Sequence, residues 1–177
     1  MRNFSAHFSS WCRQYYKEHH PHMDVNAITD VPGQLTKGDI EIVQGFGEPN
    51  IYYDEKANSK PSEGLLVELL QSAEPFGAVP QSLGWFYNLT ECNYILMGYY
   101  MGKDSSALLS AYKVDLKHLR RWFYNLKELL ENKSVTVTSH IAPGGFGITL
   151  FIVIPYDLLV DVGIAECLTE NSLWNLR

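Results

Sequence analysis

Apolar residues in this chain fall in short runs, and this pattern constrains its fold more than any other feature. The longest run is GITLFIVIP at residues 147–155, and similar runs lie at residues 64–70 and 93–100. Each has the length of a strand, and none reaches the roughly 18 residues of a membrane-spanning helix. The runs therefore predict strands of a buried sheet and no membrane segment.

Two segments follow the helical period instead. Apolar residues from Phe4 to Tyr15 recur at spacings of three and four, which predicts a helix over residues 4–16. A second helix is predicted over residues 116–131, with Asp115 as its N-cap. The other patterned segments predict strands at residues 39–43, 50–56, 64–70, 93–100, 106–114, 134–140 and 147–155. Together they indicate one α/β domain with a central mixed β-sheet flanked by helices.

The predicted domain spans residues 1–177 in three parts. Residues 1–22 hold the first helix and a polar loop, residues 29–123 hold the core, and residues 134–177 hold closing strands and a C-terminal tail. Prolines and glycine predict a polar connection over residues 17–38, and loops are expected at residues 72–85 and 141–147. A last short helix is expected after Tyr156.

Composition narrows the class of protein. The chain has 177 residues, a formal net charge of -6 and an apolar fraction of 46%, which is typical of one globular domain rather than a disordered or nonspecific nucleic-acid-binding chain. Its three cysteines are odd in number and far apart, which favours reduced thiols. With no apolar leader at the N-terminus, a cytoplasmic location is expected.

The segment GDIEIVQGFGEPNIYYDEK (residues 38–56) predicts a hairpin with acids at its open end. Asp54 and Lys56 share one face of the second strand because residues two apart lie on the same side. Asp39 begins the first strand and lies on the same side of the turn as both. Two carboxylates suit Mg²⁺, and a neighbouring lysine can position water at a phosphate. An exposed hairpin with alternating charges would have the same sequence pattern. These residues alone therefore leave open both a metal site and a solvated hairpin face.

The blocks ITDVPGQLTKGDIEIV, IYYDEK, LLVELLQS, LGWFYNLTECNYILMGYY and LLSAYKVDLKHLRRWF, in this order, resemble the PD-(D/E)XK nuclease superfamily. The resemblance covers residues 29–123 and implies a restriction-endonuclease-like fold that hydrolyses phosphodiester bonds with Mg²⁺, or Mn²⁺ as a substitute. It implies that Asp39 and Asp54 bind the metal, that Lys56 positions water, and that Glu68 supports catalysis. The product would carry a 5′ phosphate.

The chain departs from the superfamily pattern at two places. Asn93 stands before the YILMGYY strand where an acid is expected. Glu18 is the nearest candidate for the glutamate that the N-terminal helix often supplies, but it lies at the end of the predicted helix. His19, His20 and His22 lie close by, and either a metal cluster or a solvated loop fits them, although Pro21 breaks helical spacing.

Four basic residues of the second predicted helix are candidates for nucleic-acid binding: Lys117, Arg120, Arg121 and Lys127. Their charges could guide a phosphate backbone, with DNA preferred over RNA as partner, or could simply be a solvated helix face. A homodimer or a larger complex is a further expectation. The alternatives to a nuclease are an inactive module of the same fold that binds a protein or nucleic acid, and an accessory subunit active only in a complex.

Overall fold

A computed structural model of the protein describes residues 3–72, 82–131, 136–141 and 148–169. The strands are β1 Asp24–Ala27, β2 Ile40–Val43, β3 Ile51–Asn58, β4 Gly64–Ser72, β5 Ser82–Leu83, β6 Tyr94–Tyr100, β7 Leu108–Asp115, β8 Thr136–Ile141, β9 Ile148–Pro155 and β10 Ala165–Cys167. The helices are α1 Asn3–His19, α2 Val31–Lys37, α3 Trp85–Asn88, α4 Leu116–Trp122, α5 Leu126–Glu131 and α6 Tyr156–Asp161, and a 3-10 turn, Phe123–Asn125, joins α4 to α5.

The strands form two sheets. The larger sheet has the order β1-β2-β3-β6-β7-β10 and is mixed, because β3 and β6 run parallel while its other neighbours run antiparallel. The smaller sheet, β5-β4-β9-β8, is antiparallel throughout. The predicted α/β architecture with a mixed sheet and helices is therefore confirmed. The prediction that all strands belong to one central sheet was wrong, since β4, β8 and β9 pair with one another in the smaller sheet.

The larger sheet separates two apolar cores. On one face, α1 packs with Phe8, Cys12 and Tyr16 against Tyr53 and other residues of the sheet. The other face packs against the smaller sheet, α4 and α6, through a core that the following residues form in part: Leu65, Val67, Ile95, Tyr112, Val114, Leu119, Ile152, Ile154 and Leu159. Strand β3 lies between β2 and β6 and contributes side chains to both faces.

Two elements lie in the segment that was predicted to be a polar connection. Strand β1 pairs with β2 at the sheet edge, and all four of its residues are exposed, so it carries no apolar alternation. Helix α2 begins after Asp30, whose Oδ2 accepts a 2.8 Å hydrogen bond from the Gly33 amide. Here capping and strand pairing, rather than an apolar pattern, decide the local structure.

The predicted helix over residues 116–131 is interrupted. Asp115 caps its start as expected, accepting a hydrogen bond from the His118 amide at 2.9 Å. The chain then tightens into the 3-10 turn at Phe123–Asn125 before α5. The ring of Phe123 lies 4.6 Å from that of Phe86, measured between centroids. Apolar residues keep their spacing through the interruption, so periodicity could not reveal it.

The other local predictions fare as follows. The hairpin of β2 and β3, the helix at residues 4–16 and the short helix after Tyr156 are confirmed, with the bounds given above. The loop predicted at residues 72–85 contains β5 and the single-turn α3, while its residues 73–81 and the loop at 142–147 lie outside the described residues. Within the described ranges, no helix has the length and apolar character needed to cross a membrane.

Candidate active site

Asp39 and Asp54 face each other at the open end of the β2–β3 hairpin. Ile40 pairs with Tyr53 in the antiparallel register, so the next step outward sets Asp39 opposite Asp54. The Asp39 amide donates to the carbonyl of Tyr53 at 2.8 Å, and Asp39 Oδ2 accepts from the Glu55 amide at 2.8 Å. These bonds fix the Asp39 side chain against β3.

Gly38 allows the chain to approach β3 this closely. Its φ is +96°, and a Cβ atom here would lie 2.7 Å from the Tyr53 carbonyl oxygen and 2.9 Å from Asp54 Cβ. Both the dihedral angle and the contact exclude a larger side chain without strain. The glycine before Asp39 is thus part of what places the first carboxylate.

Asp54 is buried beside Lys56. Its side chain is on the face of the larger sheet opposite α1, and only 6% of the residue is exposed. Lys56 Nζ lies 2.7 Å from Asp54 Oδ2, and within the described structure that oxygen accepts no hydrogen bond of good geometry. Lys56 also lies over the Trp85 ring, 5.7 Å from its centroid. This carboxylate therefore already has one cation beside it, and its remaining lone pairs could accept a second.

The side chains of Asp54 and Lys56 line a pocket of about 290 Å³. Helix α2, α3 and β4 supply its other walls, and the lining residues are Gln34, Leu35, Asp54, Lys56, Glu68, Leu83, Trp85, Asn88 and Leu89. Glu68 lies where the β4–β9 register shifts, between Glu68 and Leu70. Such bulges redirect side chains. The structure therefore brings Asp54, Lys56 and Glu68 to one pocket, while Asp39 lies opposite Asp54 and is not among the lining residues.

Gly84 permits α3 to start directly against β4. A Cβ atom at this position would lie 2.3 Å from the Glu68 carbonyl oxygen. The Gly84 amide donates to the Leu69 carbonyl at 2.8 Å. This contact sets Trp85 and Asn88 over the pocket that contains Glu68 and the hairpin residues.

Burial changes the acid–base behaviour of two carboxyls. Desolvation, reinforced by the nearby charge of Asp54, raises the pKa of Asp39 above its ordinary value. Desolvation also raises the pKa of Glu55 to about 7. Glu55 lies on the α1 side of β3, where the Tyr16 hydroxyl donates to its Oε1 at 3.1 Å. Alternation along β3 places Glu55 opposite Asp54, but only the structure reveals the apolar helix that covers it.

The donor set matches the needs of Mg²⁺. Among the described residues, no three His, Cys, Asp or Glu side chains form a ready metal cluster. Mg²⁺ commonly binds one or two carboxylates and keeps several waters for substrate phosphate to replace. Asp39 and Asp54 supply two carboxylates, although Lys56 already lies against Oδ2 of Asp54. They would hold a hydrated ion rather than enclose one.

The predicted basic residues have two different environments. Lys117 and Arg121 are exposed on α4, and Lys127 lies in α5. Arg120 points toward α3, where its Nη2 donates to the carbonyls of Phe86 at 3.0 Å and Leu89 at 2.6 Å. Arg120 thereby connects α4 to the wall of the candidate active site.

The N-terminal candidates lie elsewhere. Glu18 is exposed, accepts a hydrogen bond from Gln14 Nε2 at 2.7 Å, and lines a separate pocket near β10. His19 Nδ1 lies 2.9 Å from the Tyr15 carbonyl oxygen, and His20 Nε2 lies 3.0 Å from the Tyr53 hydroxyl. The described part of the chain shows no metal cluster at these histidines.

Asn93 joins three elements at the start of β6. Its Oδ1 accepts from the Tyr52 amide at 2.8 Å, its own amide donates to the Tyr52 carbonyl at 2.9 Å, and its carbonyl accepts from the Leu116 amide at 3.0 Å. The residue therefore anchors β3 and α4 in the place where the superfamily pattern predicts an acid.

Comparison with known proteins assigns this chain to no family. No described protein family, no curated protein and no solved structure matches this chain. The chemistry of the hairpin and its pocket is therefore the basis for a functional proposal.

Proposed function

We propose that this protein is a Mg²⁺-dependent nuclease that hydrolyses phosphodiester bonds of nucleic acid. The observation that carries the proposal is the meeting of Asp39 and Asp54 at one end of a hairpin, with Lys56 against Asp54 in an open pocket. The sequence resemblance described above implies the same residues. DNA is the preferred partner in this proposal.

Each side chain has a role in the proposed reaction. Asp39 and Asp54 bind the cation, which when bound would polarise the phosphoryl oxygen and lower the pKa of water. Lys56 positions the attacking water and stabilises negative charge on the phosphate, while Glu68 orients that water. Oxygen of water bonds to phosphorus as the bond from phosphorus to the 3′ oxygen breaks, which leaves a 5′ phosphate and a 3′ hydroxyl.

The first test is metal binding. Mn²⁺ is titrated by calorimetry into the wild type, Asp54→Asn and Glu48→Gln. Glu48 is an exposed carboxylate in the hairpin turn, so this control removes one charge at the other end of the same strands. We expect binding by the wild type and by Glu48→Gln and its loss in Asp54→Asn. Wild-type binding that persists in Asp54→Asn would contradict the proposed site.

The second test is cleavage of plasmid and single-stranded DNA. We expect Mg²⁺-dependent products in the wild type, and their loss in Asp54→Asn and in Lys56→Met. End-labelling of the products checks for the 5′ phosphate. Cleavage that continues in both variants at the wild-type rate would point to a contaminating nuclease.

A second candidate function is an inactive module of the same fold that binds a protein or nucleic-acid partner. The 2.7 Å ion pair favours it, because Lys56 already neutralises the carboxylate that a metal would need. The net charge of -6 also disfavours nonspecific binding to DNA. A wild type that neither binds Mn²⁺ nor cleaves would support this candidate, and cleavage only after a partner is added would identify an accessory subunit.

A further inference from the structure

A second pocket lies beside the candidate active site, on the α4 side of α3. It has a volume of about 380 Å³ and is lined by Phe86, Tyr87, Arg120, Phe123 and Tyr124. Four of these five side chains are aromatic and the fifth is a cation. None of these residues has a role in the proposed hydrolysis. The pocket that they line is called the aromatic cleft below.

The cleft is held in shape by Arg120. The guanidinium donates from Nη2 to two carbonyls of the α3 segment, and it lies over the Phe86 ring, 5.7 Å from the centroid. Phe86 in turn contacts Phe123 across the cleft, with 4.6 Å between ring centroids. Floor and walls are therefore preformed, which lowers the entropic cost of binding a flat ring.

The rim of the cleft exposes aromatic surface to solvent. Tyr124 is 90% exposed and Tyr87 is 46% exposed. A rigid aromatic side chain that projects beside a cavity is a typical stacking platform for a planar ligand. The two tyrosines therefore provide the exposed aromatic surface of the cleft, next to the packed rings of Phe86 and Phe123.

Exposed positive charge lies on α4, the helix that supplies Arg120 to the cleft. Lys117 and Arg121 are exposed on α4, and the spacing from Lys117 to Arg121 to Tyr124 is four and then three residues. Lys117 and Arg121 therefore share one side of α4, and Tyr124 follows in the 3-10 turn after the helix ends. A ligand that combines a planar ring with a phosphate matches this arrangement in both shape and charge, which favours a nucleotide over a neutral peptide side chain.

Helix α3 connects the cleft to the candidate active site. Trp85 and Asn88 line the pocket of Asp54 and Lys56, while Phe86 and Tyr87 line the cleft. The two pockets lie on opposite sides of this helix, and an α-helix with its side chains is about 10–12 Å wide. A strand with its scissile phosphate in one pocket therefore has a neighbouring base within reach of the other.

We propose that the aromatic cleft binds an unpaired nucleobase, and that the substrate strand is single-stranded where it meets the protein. This inference rests on the proposed nuclease function and narrows its substrate class. Bases in a duplex are stacked and paired, so their faces are not available to aromatic side chains, whereas an unpaired base can leave its neighbours and enter the cleft.

The test measures binding without divalent metal, so that its outcome does not depend on cleavage. Fluorescence anisotropy follows a labelled single-stranded decamer of thymidine and a duplex decamer at low ionic strength. The variants are Tyr124→Ala, Tyr124→Phe and Phe46→Ala. Phe46 is a fully exposed aromatic in the β2–β3 turn, far along the hairpin from Asp54, so its truncation is the matched control.

We expect the wild type to prefer the single strand to the duplex, and Tyr124→Ala to bind the single strand about tenfold more weakly. Tyr124→Phe keeps the ring and should bind like the wild type, as should Phe46→Ala. In a second oligonucleotide series, an abasic site replaces each base in turn. One position should weaken wild-type binding by a similar factor and have little effect on Tyr124→Ala.

Equal binding of the single strand by wild type and Tyr124→Ala would overturn the inference, as would a wild-type preference for the duplex. Absence of binding to both oligonucleotides would overturn it too, and would turn attention to a protein partner for the cleft. The proposed function has a separate test, since Asp54→Asn decides metal binding and cleavage whether or not the cleft holds a base.

Discussion

Asp54 and Lys56 form an ion pair whose burial is expected to cost stability. Within the described ranges, Asp54 is the only charged residue that is buried, and Lys56 is its ion-pair partner. Desolvating two charges costs free energy that their attraction often fails to recover. A pair kept in such a place for catalysis alone can be replaced without loss of the fold.

The double variant Asp54→Val/Lys56→Met tests this. We expect its free energy of unfolding in urea to equal or exceed that of the wild type by up to about 2 kcal/mol, because the buried Asp54 charge and the charge of its partner disappear together. Lys56→Met alone should lose about 3 kcal/mol, since it leaves the Asp54 carboxylate unpaired. A double variant less stable than both single variants would show that the pair is structural.

Glu55 should make the free energy of unfolding depend on pH. Burial raises its pKa from 4.5 to about 7, so the folded protein holds this proton more tightly than the unfolded chain. Its contribution to stability is therefore complete below pH 4.5 and is lost as the pH rises through about 7. The expected loss is at most about 3 kcal/mol.

Glu55→Gln should remove this dependence, because a glutamine cannot ionise and still accepts the Tyr16 hydrogen bond. Urea denaturation between pH 4.5 and 8 measures it, with Glu48→Gln as the control. The variant should be more stable than the wild type at pH 8 and similar to it at pH 4.5. A constant difference at all pH values would rule out titration of Glu55 as the cause.

The sequence predicted some of these residue positions but not their surroundings. Alternation and the turn place Asp39, Asp54 and Lys56 together, and the structure has them so. It did not predict the environments of Glu55 and Arg120. Those depend on which helix covers each face, and residue spacing along one element holds no such information.

At the scale of elements, local signals were sufficient only where the apolar period was strong. The hairpin and α1 have such a period, whereas β1 is exposed along its whole length. A strand of this kind forms because β2 offers unpaired backbone groups, not because of its own residues. Its presence therefore depends on tertiary context.

Gly38 offers a test at the junction of α2 and β2. We expect Gly38→Ala to destabilise the protein by about 1–3 kcal/mol and to weaken Mn²⁺ binding, because the new methyl group pushes Asp39 away from β3. Urea denaturation and calorimetry measure the two effects. Gly102→Ala is the matched control, since Gly102 also has positive φ but a methyl group there would meet no atom within 4 Å. Equal effects of both substitutions would remove the steric explanation.

At the scale of the whole molecule, pairing between distant segments could not be predicted. Gly64 pairs with Pro155 and Ser72 with Ile148, so the second sheet joins segments far apart in the chain. A period of two predicts a strand but not its partner. That ambiguity explains why all the apolar runs were expected in one sheet.

A buried hydrogen bond connects the larger sheet to α6. The hydroxyl oxygens of Tyr99 on β6 and Tyr156 on α6 lie 2.8 Å apart, and both residues are almost fully buried. We expect Tyr156→Phe to lower the free energy of unfolding by about 1–2 kcal/mol, since it leaves the Tyr99 hydroxyl without this partner. The double variant Tyr99→Phe/Tyr156→Phe should lose less than the sum of the single variants. Additive losses would mean that the two hydroxyls act independently.

Strand β3 pairs with β2 at its first three residues and with β6 from Tyr53 onward, and the sheet is covered on both sides. Its backbone amides should therefore exchange with deuterated water more slowly than those of the edge strands β1 and β10. Asp54 and Lys56 lie in the part of this strand that pairs with β6, so we expect their backbone to open only with global unfolding. Heating should then abolish the proposed activity when the entire domain melts, and not before.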